Sequence, residues 1–537
     1  MSNLLEKLIT DKMHETLPFA IGLIFLIVLL VLLAKKIKVA YPILLVLAGV
    51  LLCLIPGTPR IRVEPDMIFF IFLPPLLYEA AWAISLKQLK KWWRIIASFA
   101  FLVVFFTATV VALCSNYFIP GFSIALGFLL GGIVSPPDAV SAGAILKFVK
   151  IPKSTSSILE GESLLNDASS LIIVRFALVA VGTGQFFLGE ATLSFLWMAI
   201  GGAIIGLVIG WLVERINKIL PTNAPADIVL SLLTPYLLYW VAELVHSSGV
   251  LAVVFGGLYI SSKRFHFMNA SSRIAGYNVW ESFVYVLNGL VFMLIGLQLP
   301  EILEGIDKEG IPFWTAVKYG VLVTGTLILV RIISSYVAMF STLIFRRNVM
   351  GNNFSFRKSW KMPVILGWTG MRGVVSLAAA LAIPEFLENG QPFPYRNLIL
   401  FITFVVILLT LIIQGLTLPT MIRKIGFFDS LDADEDESRH QLKRELSEFC
   451  LNYAKNNFVE EMKDNIILRR TVESWEEKLA NPEKQRMTEK QKTAYLKFLE
   501  MQRNFLIEKN VEVNLNEDLI RNQQHLIDLE EERVIHS

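Results

Sequence analysis

Long apolar stretches separated by short polar loops fill the chain from about residue 17 to residue 422. A membrane-spanning helix needs about 20 consecutive apolar residues, and on that measure we predict thirteen spans. They lie near residues 17–34, 40–56, 67–84, 95–118, 121–146, 157–182, 192–214, 227–245, 249–262, 278–299, 313–345, 361–387 and 397–422. The pattern therefore predicts an all-α polytopic membrane protein with its termini on opposite sides of the bilayer.

Lysine and arginine residues are concentrated in every second loop. The basic loops contain Lys35, Lys36, Lys38, Lys87, Lys90, Lys91, Arg94, Lys147, Lys150, Lys153, Arg215, Lys218, Lys263, Arg264, Arg273, Arg346, Arg347, Arg357, Lys358 and Lys361. The alternate loops contain Arg60, Arg62, Lys308 and Arg396. Because basic loops stay in the cytoplasm, we expect the N-terminus outside, the C-terminal tail inside and the protein in the cell membrane.

The beginning of the chain resembles an export signal, because a polar start precedes the first apolar stretch. Lys35 and Lys36 follow that stretch, where a cleavable signal would need small residues. We therefore interpret residues 17–34 as the first transmembrane helix.

The composition changes sharply after Arg423 and Lys424. Residues 426–437 form an acidic segment, and residues 438–537 are rich in charge with apolar residues at helical spacing. We therefore predict three parts: a transmembrane domain at 1–425, an acidic linker at 426–437 and a cytoplasmic helical domain at 438–537. Both a solvated tail and a regulatory or dimerising domain agree with this pattern.

The overall composition excludes several classes of protein. Of the 537 residues, 54% are hydrophobic and 18% are charged, and the mean hydropathy of +0.58 exceeds that of soluble proteins. The three cysteines have no paired spacing, and the six histidines form no metalloprotease motif. We therefore expect no enzyme, no cofactor and no nucleic-acid partner.

Two carboxylates stand in one otherwise apolar span, in the segment Gly161–Ser170. Helical spacing places Ser163, Asn166 and Asp167 on one face, whereas Glu162 lies about 100° away from Ser163. A charged residue at the centre of a membrane helix is costly and usually functional. In a poorly hydrated cavity protons compete with cations for such a carboxylate. We predict that Asp167 binds ions, while for Glu162 we prefer a fixed arginine partner.

Two other spans contain helix-breaking residues near their centres. One has Pro136 and Pro137 followed by Asp138, and the other has glycines around Arg372. Broken helices in both halves of a transporter indicate an inverted repeat with its binding site at the midplane. We expect Arg372 to offset the negative half-helix ends and the bound carboxylates. A simple proline kink and an arginine that reaches the membrane interface are the alternatives.

Two single charges at membrane depth add candidates. Glu79 follows Pro74 and Pro75 in the third span and could line the cation path or make an interhelix hydrogen bond. Arg331, within the eleventh span, is most simply the partner of a buried acid, and Glu162 is our candidate for that acid.

Three polar residues near span ends have weaker interpretations. Arg175 is two turns past the ion-binding face and is interpreted as a cap at the end of its own helix. Glu243 and His246 are three residues apart at the end of the eighth span and are interpreted as a partly hydrated pair.

Five stretches, occurring in one order along the chain, resemble the cation:proton antiporter family 1. That family includes the bacterial sodium/proton antiporters and the eukaryotic sodium/hydrogen exchangers. The stretches are Phe72–Glu79, Ser135–Val140, Gly161–Asp167, Ala242–Gly249 and Gly370–Gly373. The resemblance covers roughly residues 15–425, and it implies a thirteen-helix fold with inverted repeats and two unwound crossing helices. It also implies a homodimer in which a core domain moves like an elevator against a dimerisation domain.

The resemblance further implies roles for individual residues. Asp167 would be shared by cation and proton, with the following residues around it: Asn166, Ser163, Asp138, Glu79 and the carbonyl of Pro137. Glu162 and Arg331 would form a buried structural pair, and Arg372 would lie on the second unwound helix. Relatives with Asn-Asp at residues 166–167 are taken to exchange one cation for one proton, which agrees with a single free carboxylate in the site.

The expected activity is exchange of cytoplasmic sodium, or lithium, for external protons, in the service of pH and sodium homeostasis. Pro137 stands where many relatives have threonine, which removes a hydroxyl ligand and leaves the choice among sodium, lithium and potassium open. A potassium/proton antiporter is therefore the nearest alternative. A gated cation channel is an alternative of another class.

Overall fold

The computed structural model describes residues 2–56, 68–146, 149, 151, 153–184, 188–220, 223–345, 361–387, 389–425, 428–458, 465–480, 489–509 and 517–535. These residues are almost entirely helical, and their one β contact is an isolated bridge between Phe386 and Pro392. The chain divides into two compact units, Met1–Phe428 and Asp429–Ser537.

The helices of the first unit follow one another with short connections. They are α1 Ser2–Ile37, α2 Tyr41–Cys53, α3 Leu73–Ala83, α4 Leu86–Ala97, α5 Val104–Phe118, α6 Ile124–Val134, α7 Ala139–Leu146, α8 Lys153–Thr183, α9 Leu188–Ile219, α10 Ala224–Leu244, α11 Gly249–Phe267, α12 Ala270–Leu297, α13 Leu299–Lys308, α14 Phe313–Phe345, α15 Lys361–Trp368, α16 Val374–Leu381 and α17 Arg396–Ile425. A π-helical turn, Ile68–Phe72, precedes α3, and another, Ser98–Val103, joins α4 to α5.

Each predicted span coincides with a helix or with two consecutive helices. Within the described residues, eight helical stretches are long and apolar enough to cross a membrane: Pro18–Ile37, Leu86–Phe118, Thr155–Thr183, Leu193–Ile219, Ala224–Leu244, Ala270–Lys308, Phe313–Ala338 and Arg396–Lys424. Tyr41–Cys53, Phe69–Ala83 and Ile124–Val134 are shorter apolar helices. The all-α polytopic fold is therefore confirmed, whereas the number of thirteen crossings stays a prediction.

Two spans are interrupted where the sequence contains helix breakers. Residues 135–138 separate α6 from α7, and residues 369–373 separate α15 from α16. At the first break, Pro136 and Pro137 have no backbone N–H to continue the helix. At the second break, Gly370 and Gly373 weaken the helix because glycine loses the most backbone entropy when it is ordered.

The helices of the first unit pack into two groups. In the group that we call the scaffold bundle, α9 packs along α11, α2 along α12, and α3 and α10 on α11. In the group that we call the core bundle, α6 packs between α5 and α8, and α14 packs against α15 and α17. Among the described residues, an apolar cluster of the scaffold bundle includes Leu77, Leu238 and Val253, all nearly inaccessible to solvent.

The second unit contains α18 Phe428–Asn457, α19 Ile466–Ala480, α20 Glu489–Lys509 and α21 Glu517–Ile535. Most of the predicted acidic linker belongs to α18, since the chain is helical from residue 428 onward. Helices α20 and α21 pack together, and Arg503 of α20 contacts Asp528 at 2.7 Å and Glu531 on α21. The hydrogen bonds to Glu531 and Asp528 raise the pKa of Arg503.

Candidate functional site

The two helix breaks lie side by side and are hydrogen-bonded to each other. The backbone N–H of Asp138 in the first break donates to the carbonyl of Met371 in the second, at 2.7 Å. A Cβ atom on Gly373 would overlap the Asp138 carboxylate, so only glycine allows this approach. The pairing satisfies backbone groups that the broken helices leave without an intrahelical partner.

Arg372 binds the carboxyl end of the half-helix α6. Its Nε donates to the Val134 carbonyl at 2.7 Å and its Nη2 to the Ser135 carbonyl at 3.2 Å. A third bond goes from Nη1 to the Gly370 carbonyl. The side chain is only 1% exposed, so it does not reach the membrane interface. Since the last carbonyls of a helix form its negative end, the guanidinium neutralises the break from inside the bundle.

Asp138 caps the amino end of the other half-helix, α7. Its Oδ1 accepts the backbone N–H of Val140 at 2.9 Å, and its Oδ2 accepts the Ser141 hydroxyl at 2.6 Å. A carboxylate at this position satisfies amide groups that have no helical acceptor. Asp138 also lies close enough to Asp167 for their charges to interact.

Asp167 and Asn166 are buried beside the first break. Asn166 is fully inaccessible, and its Nδ2 donates to the Pro137 carbonyl at 3.2 Å. The Asn166 Oδ1 has no hydrogen-bond partner among the described residues. Asp167 is 7% exposed, and the described part of the chain provides it with neither a hydrogen bond nor a basic side chain within 4.0 Å. Two oxygen-bearing side chains thus meet at the break without a protein donor for either.

The hydroxyl groups that follow Asp167 tie α8 to its neighbours. The Ser170 hydroxyl donates to the Gly132 carbonyl of α6 at 2.7 Å, and the Ser169 hydroxyl donates to the Ala100 carbonyl. Both residues are buried. These bonds hold α8 against α6, which keeps Asp167 in register with the break.

Glu79 and Ser163 are both partly buried at the periphery of this region. Glu79 belongs to α3 of the scaffold bundle and interacts electrostatically, as Asp138 does, with Tyr41 of α2. Glu79 and Asp138 therefore face the same part of the molecule from different bundles. Tyr41 was missed from the sequence, where a single tyrosine at the start of an apolar stretch carries no distinctive signal.

Glu162 and Arg331 form a buried, bidentate ion pair between α8 and α14. Arg331 Nη2 donates to Glu162 Oε2 at 2.7 Å, and Nη1 donates to Oε1. The two side chains are 1% and 2% exposed. The guanidinium also lies 5.2 Å from the centroid of the Phe99 ring. Planar arginine matches carboxylate geometry with two bonds, which gives the pair a defined orientation.

Arg175 differs from the prediction that it caps its own helix. Its Nη2 lies 3.0 Å from Glu243 Oε2 at the end of α10, and both side chains are partly exposed. Glu243 Oε1 also accepts the Gly249 backbone N–H at 3.4 Å. The predicted pair of Glu243 with His246 is therefore replaced by a bridge between two helices, because His246 is turned away by a left-handed backbone with φ of 55°.

The substitution Gly373→Ala is expected to reduce activity of the site. The added methyl group would displace the Asp138 carboxylate and weaken its cap on α7, which costs about 1 kcal/mol. The matched control is Gly143→Ala within α7, where an added Cβ meets nothing within 4 Å. Transport rates of both variants in proteoliposomes test this, and equal rates would contradict the close approach of the two breaks.

Comparisons with known proteins agree with this architecture. Residues 22–424 match the family model described as sodium/hydrogen exchanger, transmembrane. The sodium, potassium, lithium and rubidium/H(+) antiporter of Bacillus subtilis (strain 168) is 33% identical over 387 residues, which is 71% of this chain and 57% of that protein. The chain thus spans less than two thirds of that relative. The Na(+)/H(+) antiporter ApNhaP of Aphanothece halophytica is 31% identical over 72% of this chain and 70% of its own length.

A solved structure shares the fold. The sodium proton antiporter MjNhaP1 from Methanocaldococcus jannaschii at pH 8 aligns with a TM-score of 0.59 at 20% identity. The alignment covers 76% of this chain and 99% of that structure.

Proposed function

Because the chain belongs to the sodium/hydrogen exchanger family, we propose that it is a secondary active antiporter that exchanges sodium for protons across the cell membrane. The observation that supports this most directly is Asp167, a buried carboxylate with no hydrogen-bond or ion-pair partner among the described residues. An isolated charge at this depth is unfavourable. It becomes favourable when the carboxylate binds either a cation or a proton.

The neighbouring groups support cation binding when Asp167 is ionised. The Asn166 Oδ1 lies in the adjacent position with no donor among the described residues, and amide and carboxylate oxygens are ligands that small hard cations prefer. Asp138, Glu79, Ser163 and the carbonyl of Pro137 are the further candidates near the break. Arg372 and the paired Glu162 and Arg331 take no part in coordination, since their charged groups are already bonded to protein.

Competition for one carboxylate couples the two ions. A cation and a proton cannot occupy Asp167 together, so each crossing of the loaded site moves one or the other. One negative charge is neutralised by one monovalent cation or by one proton, which makes the exchange electroneutral with a ratio of one to one. The empty, charged site is the least favourable species to move through the membrane, which prevents leakage.

The division into two bundles supports an elevator-like movement. Asp167, Asp138 and Arg372 all belong to the core bundle, whereas Glu79 and Tyr41 belong to the scaffold bundle. The core bundle can therefore move with its ion-binding residues intact. We further propose a homodimer in the cell membrane with the N-terminus outside and the tail in the cytoplasm, which the distribution of basic loops supports.

Proteoliposomes with an internal pH dye test the activity. Addition of NaCl is expected to move protons, whereas choline chloride, the control, is not. Because the exchange is electroneutral, a potassium diffusion potential set with valinomycin is expected to leave the initial rate unchanged. LiCl and KCl in the same assay define the cation preference. No proton movement with any of these cations would refute the proposal, and a rate that follows the imposed potential would refute the one-to-one ratio.

A further inference from the structure

A small cavity lies inside the scaffold bundle, apart from the site around Asp167. Its volume is about 20 Å³, which is room for about one water-sized particle. Aromatic residues form part of its wall: Tyr78, Trp82, Phe267 and Trp280. The polar part of the wall consists of Asn217 of α9 and Asp227, Ser231 and Thr234 of α10. The last three residues share one helix face, because they are spaced by four and three positions.

Asp227 is the charged group of this cavity, and half of its carboxylate has no partner. The side chain is 4% exposed. Its Oδ2 accepts the Ser272 hydroxyl at 2.6 Å, whereas Oδ1 is buried without any hydrogen-bond partner among the described residues. The described residues place no lysine or arginine within 4.0 Å of it. A buried ionised oxygen without a partner is costly, which indicates that the native cavity has an occupant.

The other polar groups of the wall have already donated their protons to helix carbonyls. Ser231 donates to the Ile228 carbonyl at 2.7 Å, and Thr234 donates to the Leu230 carbonyl at 2.6 Å. The Ser231 oxygen still accepts the indole N–H of Trp280 at 3.0 Å. What these hydroxyls can offer to the cavity is therefore an oxygen lone pair.

Asn217 behaves in the same way. Its Nδ2 donates to the Val213 carbonyl at 2.8 Å, and the described residues provide no donor for its Oδ1. A cavity with one carboxylate and several accepting oxygens suits a cation rather than an anion. The single negative charge suits a monovalent ion, and the described residues contain no cluster of three acidic or metal-binding side chains that a divalent ion would favour.

We propose that this cavity is a second monovalent-cation site, with Asp227 as its charged ligand and Ser231, Thr234 and Asn217 as neutral oxygen ligands. Its ligands come only from the scaffold bundle, so the bound ion stays in place while the core bundle moves. The cation joins α9 to α10, and Tyr78 in the cavity wall precedes Glu79 on α3. This inference goes beyond the exchange activity and does not depend on it.

Binding of ²²Na⁺ to the purified full-length protein tests the proposal without any transport measurement. The variant Asp167→Asn removes the carboxylate of the exchange site. It is expected to retain one saturable sodium site per protomer, because Asp227 is unchanged. Adding Asp227→Asn to this background is expected to weaken the remaining binding about tenfold or more. Gel filtration of both variants checks that they stay folded.

The variant Thr234→Val, also in the Asp167→Asn background, is the matched control for folding. It keeps the size of the side chain and the Asp227 charge but removes one neutral oxygen, so sodium binding is expected to weaken by a smaller factor. The proposal is overturned if Asp167→Asn shows no saturable binding. It is also overturned if the residual affinity is the same with and without Asp227→Asn, or if it is unaffected by Thr234→Val.

Discussion

Replacement of Asp167 by asparagine is expected to reduce sodium-driven proton movement to the level of protein-free liposomes. The amide has nearly the shape of the carboxylic acid, but it neither carries the negative charge nor takes up the proton. Because both ions use this one group, the loss affects the two directions of exchange equally. The internal pH dye in proteoliposomes measures the effect directly.

The thermal stability of the same variant separates a transport role from a structural one. Asp167 has no hydrogen bond or ion pair among the described residues, and a buried charge without a partner destabilises a fold. Asp167→Asn is therefore expected to melt at the same temperature as the wild type or higher. A structural carboxylate would instead give a less stable protein.

Glu160 provides the matched control on the same helix. It is exposed and accepts the Ser156 hydroxyl at 2.7 Å, so Glu160→Gln makes the same change of charge seven residues away from Asp167. This variant is expected to exchange at the wild-type rate. Exchange that survives Asp167→Asn, or that is lost equally in Glu160→Gln, would show that Asp167 is not the shared group.

Replacement of Arg331 by methionine is expected to have the largest effect on folding. The change leaves Glu162 buried without its bidentate partner, and removal of one member of a buried ion pair costs about 3–5 kcal/mol. That is a large fraction of the stability of a typical protein. The fraction of monodisperse protein that remains after heating in detergent measures the loss, and Glu162→Gln is expected to behave similarly.

The double variant Glu162→Gln with Arg331→Met tests the reason for that loss. If the unpaired charge is the cause, neutralising both residues restores much of the stability that either single change removes. Arg175→Met is the control for the chemical change, because Arg175 pairs with Glu243 at a partly exposed position. Exposed pairs contribute about 0–1 kcal/mol. Equal melting temperatures for Arg331→Met and Arg175→Met would contradict the structural role of the buried pair.

The positions of the helices and of their interruptions could be predicted because both depend on local chemistry. Each apolar stretch coincides with a helix, since backbone groups in a bilayer must be satisfied within the segment. Pro136, Pro137 and Gly370 likewise mark the breaks, because the loss of a backbone donor or the flexibility of glycine acts at the residue itself. No neighbour is needed for either effect.

The partners of individual charges could be predicted only in part. The pair of Glu162 with Arg331 was a candidate because a buried acid and a buried base have few other options. Arg175 and Glu243 were each given another interpretation, since 68 residues separate them and neither lies deep in a span. A partly exposed charge has water as an alternative partner, so its sequence neighbours do not decide where it binds.

The sequence by itself determined the class of the protein, the location of its helices, the two breaks and the choice of Asp167 as the ion-binding group. These follow from the cost of placing polar groups in a bilayer, which each segment experiences alone. The tertiary structure decided which groups meet: Arg372 on the carbonyls of α6, Asp138 as a cap on α7, and Asp227 on a separate cavity. Those contacts join residues that are distant along the chain, and only the packing of the helices brings them within hydrogen-bond distance.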